Sequence, residues 1–520
     1  MKEIKGIAAS PGIAIGPIFV YRPAELVIHN LQAEDASLEW ERYQNAAQKA
    51  LLELVALRQK VASEMGEEDA AIFDAHQMIL RDPDLEEELR AEIDTGATAE
   101  SATEVVFARQ VKSFEEIDDP LFRERAADFS DVGRRVLCIL TGVQDNALAA
   151  LDAPAIVIAK DLMPSDTAQM NKAMVRGFCT AGGGPLSHTA ILARNLGLPA
   201  VVGAGKDVLD LKNGEWLVVD GGAGVVVIGA DEQQCNQYQQ EADRLAQERA
   251  TAQAHAHEPA ITQDGRQIEV VANVGLPGEE VDALQAGAEG IGLLRTEFLF
   301  VERRVAPSEE EQYQAYYPIF DAMGERIVIA RTLDIGGDKP VPFLAVPHED
   351  NPYLGWRAIR IGLADPELLK TQLRALLRAG HNHNLKIMFP MIATVEEMQA
   401  ARALVDEARA ELAERGAPYA QTVDVGTMIE VPSAALMADQ LVRYVDFFSI
   451  GSNDLTQYTL AADRGNPAVA SLSDALHPAV LRLVDNVVRA AHAAGVWVGV
   501  CGEMAGDPKA IPLLLGLGVD

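Results

Sequence analysis

Cysteine is scarce in this chain of 520 residues. There are four, Cys138, Cys179, Cys235 and Cys501, and none forms a CxxC pair. This excludes a thiolate zinc site or dithiol redox motif, and unpaired thiols fit a reducing cytoplasm. Basic residues are also short, 44 Lys and Arg against 78 Asp and Glu, for a formal net charge of -34. Such a chain, without a basic stripe, repels phosphates, so nucleic acid is excluded as a partner. The acidic field can aid solubility or steer a basic protein. No apolar run approaches the roughly 18 residues of a membrane helix, which excludes membrane insertion. The opening "MKEIKGIAASPGIAIGPIFVY" is no signal peptide: Glu3 spoils a basic start, and Pro11, Gly12, Gly16 and Pro17 interrupt the apolar stretch. A nucleotide loop is missing too. "VVGAGKDV" imitates a phosphate-binding loop, but Ala200 stands where the first glycine belongs and Asp207 where Ser or Thr belongs. "DGGAG" lacks the dinucleotide spacing and reads as a turn.

What is present suggests a multidomain α/β protein of three or four domains of about 100–200 residues each. Residues 1–32 hold strands and turns and form the first part of an α/β domain. Residues 33–145 are poor in glycine and proline, with apolar residues at helical spacing (Leu51, Leu52, Val55; Val132, Val136, Leu140), and predict a helical bundle. It carries three acidic runs, "GEEDAAIF", "DPDLEEEL" and "FEEIDD". Strand patterns return over 146–230 in "AIVIAKDL", "GFCTAGG", "PAVVGA" and "EWLVVDGGAGVVVI". The bundle therefore interrupts the α/β domain, with the domain's first strand before it and the rest after. Residues 231–260 are polar and glycine-free, a solvated linker helix that places His255 and His257 on the surface. From 261 to 520 seven strand-like segments alternate with helical patterns such as "PELLKTQLRALLRAG". This predicts a parallel sheet and a (β/α)8 TIM-type barrel, C-terminally truncated, because the chain stops at "LGLGVD" where an eighth strand should begin. His381 and His383 fall in a loop at the barrel's other end.

Barrel sites form at the C-terminal ends of strands. Those ends carry Arg295, Arg331, Glu430, Asn453 with Asp454, and Cys501 with Glu503, while Arg357 and Arg464 lie in loops just beyond. Guanidinium forks match phosphate and carboxylate oxygens. Glu430 and Asp454 are carboxylates on neighbouring strands and suit Mg²⁺, which takes one or two protein carboxylates plus substrate oxygens and water. Together these residues describe a site for a phosphorylated carboxylic acid, with a rim thiol as proton donor or nucleophile.

His188 follows "GGGPLS" and precedes "TAILARN". Ser187 or a neighbour can cap the helix that follows. A phosphoryl group on the ring would then lie near the helix N-terminus, where free N–H groups and the dipole favour negative charge. Alone, this histidine reads as structural. Beside a phosphate-binding barrel in the same chain, it reads as a phosphoryl carrier.

The stretches "GGGPLSHTAILAR", "GLLRTEFLF", "RTLDIGGDKP", "NPYLGWRAIRI", "IMFPMI", "IEVPSA", "FFSIGSNDLTQYTLAADRGNP" and "CGEMAGD" resemble the Enzyme I family of the bacterial phosphotransferase system, the phosphoenolpyruvate–protein phosphotransferases. The resemblance covers essentially the whole chain. It implies that His188 is the phosphorylated histidine and that Thr167, in "MPSDTAQ", supports it from behind. It implies phosphoenolpyruvate binding by Arg295, Arg331, Arg357, Asn453, Asp454 and Arg464, magnesium at Glu430 and Asp454, and Cys501 as proton donor. It further implies a swivelling phosphohistidine domain, release of pyruvate, and passage of the phosphoryl group to a histidine of an HPr-type carrier docked on the bundle. A homodimer through a barrel with a complete C-terminus is also implied.

Two departures stand out. Pro185 and Leu186 replace the family's Arg-Thr pair, which bears on phosphohistidine stability and on which carrier is served. The family's last strand and helices fall beyond Asp520, which bears on barrel closure, dimerisation and activity. A pyruvate phosphate dikinase or phosphoenolpyruvate synthase is the nearest rival, but it needs a nucleotide loop that residues 1–180 lack. A non-catalytic scaffold is the second rival, and the intact His188, Glu430, Asp454 and Cys501 oppose it.

Overall fold

The computed structural model describes residues 2–28, 32–65, 67–115, 120–143, 148–149, 151–184, 187–300, 303–337, 341–344, 349–464, 466 and 469–520. The chain divides into two compact units, Met1–Ala250 and Thr251–Asp520.

The first unit holds a sheet of eight strands: β1 Lys2–Lys5, β2 Ile7–Ser10, β3 Ile13–Val20, β4 Ala155–Ala159, β5 Val175–Thr180, β6 Ala200–Val202, β7 Trp216–Asp220 and β8 Val225–Ile228. Their order is β1-β8-β7-β3-β4-β5-β6-β2. Three strands precede the bundle rather than the one expected, because Gly6, Pro11 and Gly12 break the N-terminal stretch into separate runs. The centre, β3-β4-β5-β6, is parallel. β4 reads AIVIA and is buried throughout, the continuous apolar run that a strand covered on both faces requires. β7 and β8 form a hairpin through the "GGAG" of the "DGGAG" turn. A Cβ on Gly221 would stand 1.9 Å from the Ser10 carbonyl, so only glycine fits there.

Between β3 and β4 lie five helices, α1 Ala36–Met65, α2 Glu67–Leu80, α3 Pro83–Asp94, α4 Ala99–Glu115 and α5 Pro120–Thr141. Ala50, Leu54, Leu89, Ile93, Val106, Val132 and Val136 meet in the bundle core. Next come the short α6 Pro164–Gln169 and then α7 His188–Leu196, which ends at Gly197 in the left-handed conformation (φ 64°). The polar helix α8, Glu232–Ala254, has no buried residue. His255 and His257 are exposed beyond its end.

The second unit is built on seven parallel strands in sequential order: β11 Ala272–Val274, β12 Ile291–Leu294, β13 Ile327–Arg331, β14 Asn384–Phe389, β15 Asp424–Ile429, β16 Phe447–Ile450 and β17 Trp497–Val500. (The pair β9 Ala260–Ile261 and β10 Gln267–Ile268 precedes them.) These match the seven expected segments, and no eighth strand occurs among the described residues. The sheet curls: Asn273 on β11 donates through Nδ2 to the Cys501 carbonyl just past β17, at 2.9 Å. The backbone N–H of Asp520 donates to the Val498 carbonyl, 2.9 Å, which lays that residue alongside β17. The crossing helices start as their sequences dictate. Ser308/Glu311 and Thr394/Glu397 form capping boxes, and Asp365 caps Pro366–Ala379. His381 and His383 sit in the turn before β14, at the N-terminal ends of the strands.

Candidate active site

Strand periodicity aims the second unit's polar residues. Alternate residues share a face. Leu293, Ile327, Ile329, Met388, Met428, Phe447 and Cys501 pack together as an inner apolar cluster, with the helices against the other face. The inward face that carries Leu293 continues to Arg295, Ile329 to Arg331, and Met428 to Glu430. Asn453 and Asp454 are not on a strand, as had been expected; they fall in the first turn of the helix Ser452–Leu460 that follows β16. Arg357 and Arg464 reach the same place from loops.

The result is one cavity of about 280 Å³. Its lining includes all nine residues singled out in this unit, Arg295, Arg331, Arg357, Glu430, Asn453, Asp454, Arg464, Cys501 and Glu503, and adds Asp334. Four arginines thus face four carboxylates. Arg331 is paired by Glu297 (Nη2–Oε1 2.8 Å) and Asp334 (Nη1–Oδ2 3.1 Å). Arg357 is bidentate to Asp334, at 2.9 and 3.0 Å, and also reaches Asp454 (3.1 Å) and the Tyr458 hydroxyl (3.1 Å). Burial disfavours both guanidinium charges, but their carboxylate partners more than offset it, and both pKa values lie above the ordinary arginine value. Arg295 is exposed and has no ion-pair partner among the described residues. Arg464 is 3.7 Å from Asp454.

Glu430 is 1% exposed, and its Oε1 accepts the Met391 N–H at 2.6 Å. Burial, then the charges of Asp334 and Asp454, push its pKa up. Asp454 keeps a buried Oδ1 with no hydrogen-bond partner among the described residues. No group of three or more His, Cys, Asp or Glu able to hold a metal occurs among the described residues. Two buried carboxylates, one with an orphan oxygen, fit magnesium better than a metal that needs a full protein cage. Cys501 is 6% exposed, its Sγ 3.6 Å from the Ile450 carbonyl, and burial pushes its pKa up to about 11.

In the first unit His188 is half-buried and opens α7. Ser187 occupies the cap position, but its hydroxyl makes no cap bond and is buried without a partner among the described residues, so of the two caps expected, Ser187 or a neighbour, the Ser187 side chain is not the one. Thr189 ties the first turn down by donating to Asp161 (3.1 Å). His188 lines a pocket of about 70 Å³ with Val61, Ile72 and Phe73 of the bundle, Pro164, Thr167 and Ala168 of α6, and Ile191 and Leu192 of its own helix. Thr167 is thus beside His188, yet its hydroxyl donates to the Pro164 carbonyl (2.9 Å), not to the ring. Pro185 and Leu186 lie outside the described residues.

The sequence reading missed Asp334, Glu297 and Tyr458. The first two stand three residues after Arg331 and two after Arg295, within stretches already singled out. Proximity to an arginine at a strand end was the available signal. Which carboxylate turns inward is set by the loop, and spacing does not show it.

Comparison with known proteins gives three family matches: "PEP-utilising enzyme, N-terminal" over residues 5–125, "PEP-utilising enzyme, mobile domain" over 151–224, and "PEP-utilising enzyme, PEP-binding domain" over 249–520. The phosphoenolpyruvate-protein phosphotransferase of Bacillus sp. (strain S) is 46% identical over 520 residues, covering 100% of this chain and 90% of that protein. That of Bacillus subtilis (strain 168) is 43% identical over 521 residues, covering 100% and 91%. A solution structure of an Enzyme I protein is 39% identical and covers 47% of this chain and 99% of its own, with a TM-score of 0.41. Full-length identity at this level, with the arginine cavity inside the matched PEP-binding domain, leads to one conclusion: the chain belongs to the phosphoenolpyruvate–protein phosphotransferase family.

Proposed function

We propose that the chain takes the phosphoryl group of phosphoenolpyruvate onto His188, releases pyruvate, and hands the group to a histidine on an HPr-type carrier. One observation carries this reading: nine residues scattered from Arg295 to Glu503 converge on a single charged cavity. The cavity belongs to a TIM-type barrel in this reading, and the curl that brings Asn273 to Cys501 supports that architecture.

The electrostatics support the choice of substrate and metal. With Glu430 and Asp454 ionised, as metal ligands must be, four arginines and four carboxylates leave the cavity lining formally neutral. A substrate that carries both a phosphate and a carboxylate therefore needs extra positive charge. Glu430 and Asp454 would hold magnesium, which would supply that charge as a Lewis acid.

The residues divide the work. A ring nitrogen of His188 forms a bond to phosphorus as the bond from phosphorus to the enol oxygen breaks. Arg331 and Arg357, held in place before substrate arrives, and the open Arg295 and Arg464 receive charge on the phosphoryl, carboxylate and enolate oxygens. Cys501 then gives its proton to the enolate carbon, which makes pyruvate, and the thiolate regains a proton from solvent. With its pKa near 11 the thiol is protonated at neutral pH, so of the two roles open to it, proton donor fits and nucleophile does not.

In this reading residues 1–32 and 146–230 form the phosphohistidine domain, 33–145 dock the carrier through their acidic surface, 231–260 link, and 261–520 bind phosphoenolpyruvate. His188 must serve two partners in turn, so the domain must swivel. A connecting helix without one buried residue supports this. The test is incubation with phosphoenolpyruvate and Mg²⁺ followed by mass spectrometry. An acid-labile phosphate on His188 is expected; labelling from ATP, or none from phosphoenolpyruvate, overturns the reading.

A further inference from the structure

Behind the arginine cavity is a second layer of side chains that never reaches its surface. Glu297 is 6% exposed and sits on the single turn Glu297–Leu299 just after β12, two residues beyond Arg295. It is not part of the cavity lining. Its Oε1 accepts two bonds, from Arg331 Nη2 (2.8 Å) and from the backbone N–H of Asp334 (3.0 Å). The neighbouring Thr296 hydroxyl donates to the Arg331 carbonyl (2.9 Å). From the crossing helix Pro366–Ala379, Gln372 closes the arrangement. Its Nε2 donates to the Thr296 hydroxyl (2.9 Å) and the Tyr316 hydroxyl (3.1 Å), and its Oε1 accepts the Leu333 N–H (2.9 Å). Gln372 is 1% exposed and Thr296 0%.

The Glu297 and Thr296 bonds tie the turn after β12 directly to the end of β13, and Gln372 bridges the same two segments through Thr296 and Leu333 while Tyr316 anchors it. One segment carries Arg295 and the other Arg331. β12 and β13 are paired irregularly, with a register shift between Ile291 and Leu294, so the ladder alone leaves the relative position of the two strand ends weakly defined. The buried bonds define it instead. Glu297 also starts a chain of buried charges of alternating sign, Glu297, Arg331, Asp334, Arg357 and Asp454. A bridged arginine keeps its orientation before substrate arrives, and that preorganisation is what stabilises charge developing in a transition state.

We propose that Glu297 is a positioning residue of the phosphoryl-transfer reaction: with Thr296 and Gln372 it clamps the Arg295 strand end to the Arg331 strand end and fixes the Arg331 fork. This rests on the assignment of the cavity to phosphoenolpyruvate. The effect expected from such a role differs from that of a simple charge. Removing a carboxylate makes the mouth more positive, so affinity for an anionic substrate holds or rises. Losing the clamp lets Arg331 wander, so the rate of transfer falls.

The experiment uses the full chain with Mg²⁺, measuring phosphoenolpyruvate binding by calorimetry and the single-turnover rate of His188 phosphorylation. For Glu297→Gln the expected result is unchanged or tighter binding and a rate at least tenfold lower. Glu297→Asp keeps the charge but is shorter, and the rate stays low. Gln372→Met, which breaks the clamp without altering charge, lowers the rate several-fold at unchanged affinity and serves should the Glu297 variants fail to fold. Rates within twofold of the parent for the folded variants overturn the proposal alone. Full recovery in Glu297→Asp overturns it in favour of a pure charge effect. A parent chain that neither binds phosphoenolpyruvate nor is phosphorylated overturns the reading of the site, and the proposal with it.

Discussion

The pocket beside His188 measures about 70 Å³ and is walled mainly by Val61, Ile72, Phe73, Ile191 and Leu192. The arginine cavity measures about 280 Å³ and is lined by four arginines and four carboxylates, braced from behind by Glu297 and Tyr458. The His188 side is closed by apolar contacts and by single hydrogen bonds between bundle and α6: Lys60 to the Ala168 carbonyl (2.8 Å), Arg135 to the Ser165 hydroxyl (2.7 Å), and the Ser165 N–H to Asp131 (3.0 Å). Bonds of this kind, each with one charged partner, contribute about 1.5–3 kcal/mol, and water can take up the freed charges, so this pocket can open and reclose. Buried ion pairs cannot be broken one partner at a time without a cost of several kcal/mol. The difference matches the division of labour proposed above: a carrier that must change partners, and a binding site that must not change shape.

The sharpest way to break this comparison is to remove the carrier and leave the cavity intact. His188→Asn should abolish labelling by phosphoenolpyruvate while calorimetric binding of phosphoenolpyruvate with Mg²⁺ stays as in the parent. Binding that disappears together with labelling would show that the two sites are not separable.

Next in size is Cys501→Ser, which keeps the cavity's volume but replaces the thiol by a much weaker acid. General acids contribute about 10²–10⁴-fold, so pyruvate release should slow by about that range. The parent's pH profile offers a second check. Because burial raises the Cys501 pKa to about 11, the thiol stays protonated through pH 9. Pyruvate formation should therefore show no loss centred near 8.5, the value of a free cysteine. A loss centred there would mean that Cys501 is solvated and is not the buried donor described here.

Much of this architecture was legible in the sequence. The seven strands of the second unit announced themselves as short apolar runs, and five of them continue into polar residues at the C-terminal end, as in IVIAR and DVGTMIEV. The same pattern exposed the site, since an arginine or glutamate that extends an inward-facing apolar face has nowhere to point but the C-terminal end of the curled sheet. Less visible was whatever depends on loops and on side chains meeting from distant elements. Nothing in "TQLRAL" says that Gln372 reaches Thr296, 76 positions away. Nor does "LSHT" say whether the Ser187 hydroxyl caps α7; the backbone takes the cap position and the side chain does not make the bond. The split of the first sheet was legible in kind but not in count, because strands as short as Lys2–Lys5 and Ile7–Ser10 carry too few residues for a period to show.

Of smaller effect is the seam between bundle and α6. Asp131→Ala leaves the Ser165 N–H without its acceptor, and His76, 0% exposed and bonded to Asp128 (3.2 Å), loses the second carboxylate near its ring (3.9 Å). A buried donor left unpaired costs about 1–3 kcal/mol. Thermal unfolding should show that loss, while phosphoenolpyruvate binding in the other unit keeps its parent affinity. A change in that affinity would break the separation drawn between the two sites.

The smallest expected effect lies away from the cavity, where Glu309, 17% exposed, meets one buried arginine, Arg374, and two that reach solvent, Arg378 and Arg415. Glu309 is bonded to Arg374 (2.8 Å), Arg378 (2.9 Å) and Arg415 (3.0 Å). Partial burial works against its charge, but the three guanidinium groups outweigh it and hold the carboxyl below the usual glutamate value. A carboxyl whose pKa is depressed by folding stabilises the protein above its unfolded value of about 4.3, and that stability disappears as pH falls through the folded value. Glu309→Gln should therefore lower stability at pH 7, and the difference from the parent should shrink below about pH 4. Solvent screening limits the loss to about 1 kcal/mol. It should also shrink in high salt, whereas the rate loss from Glu297→Gln, at a pair only 8% exposed on each side, should not. Equal salt sensitivity of the two would mean that the cavity's charge chain is solvated like the Glu309 cluster, and the contrast between a braced cavity and a screened cluster outside it would fail.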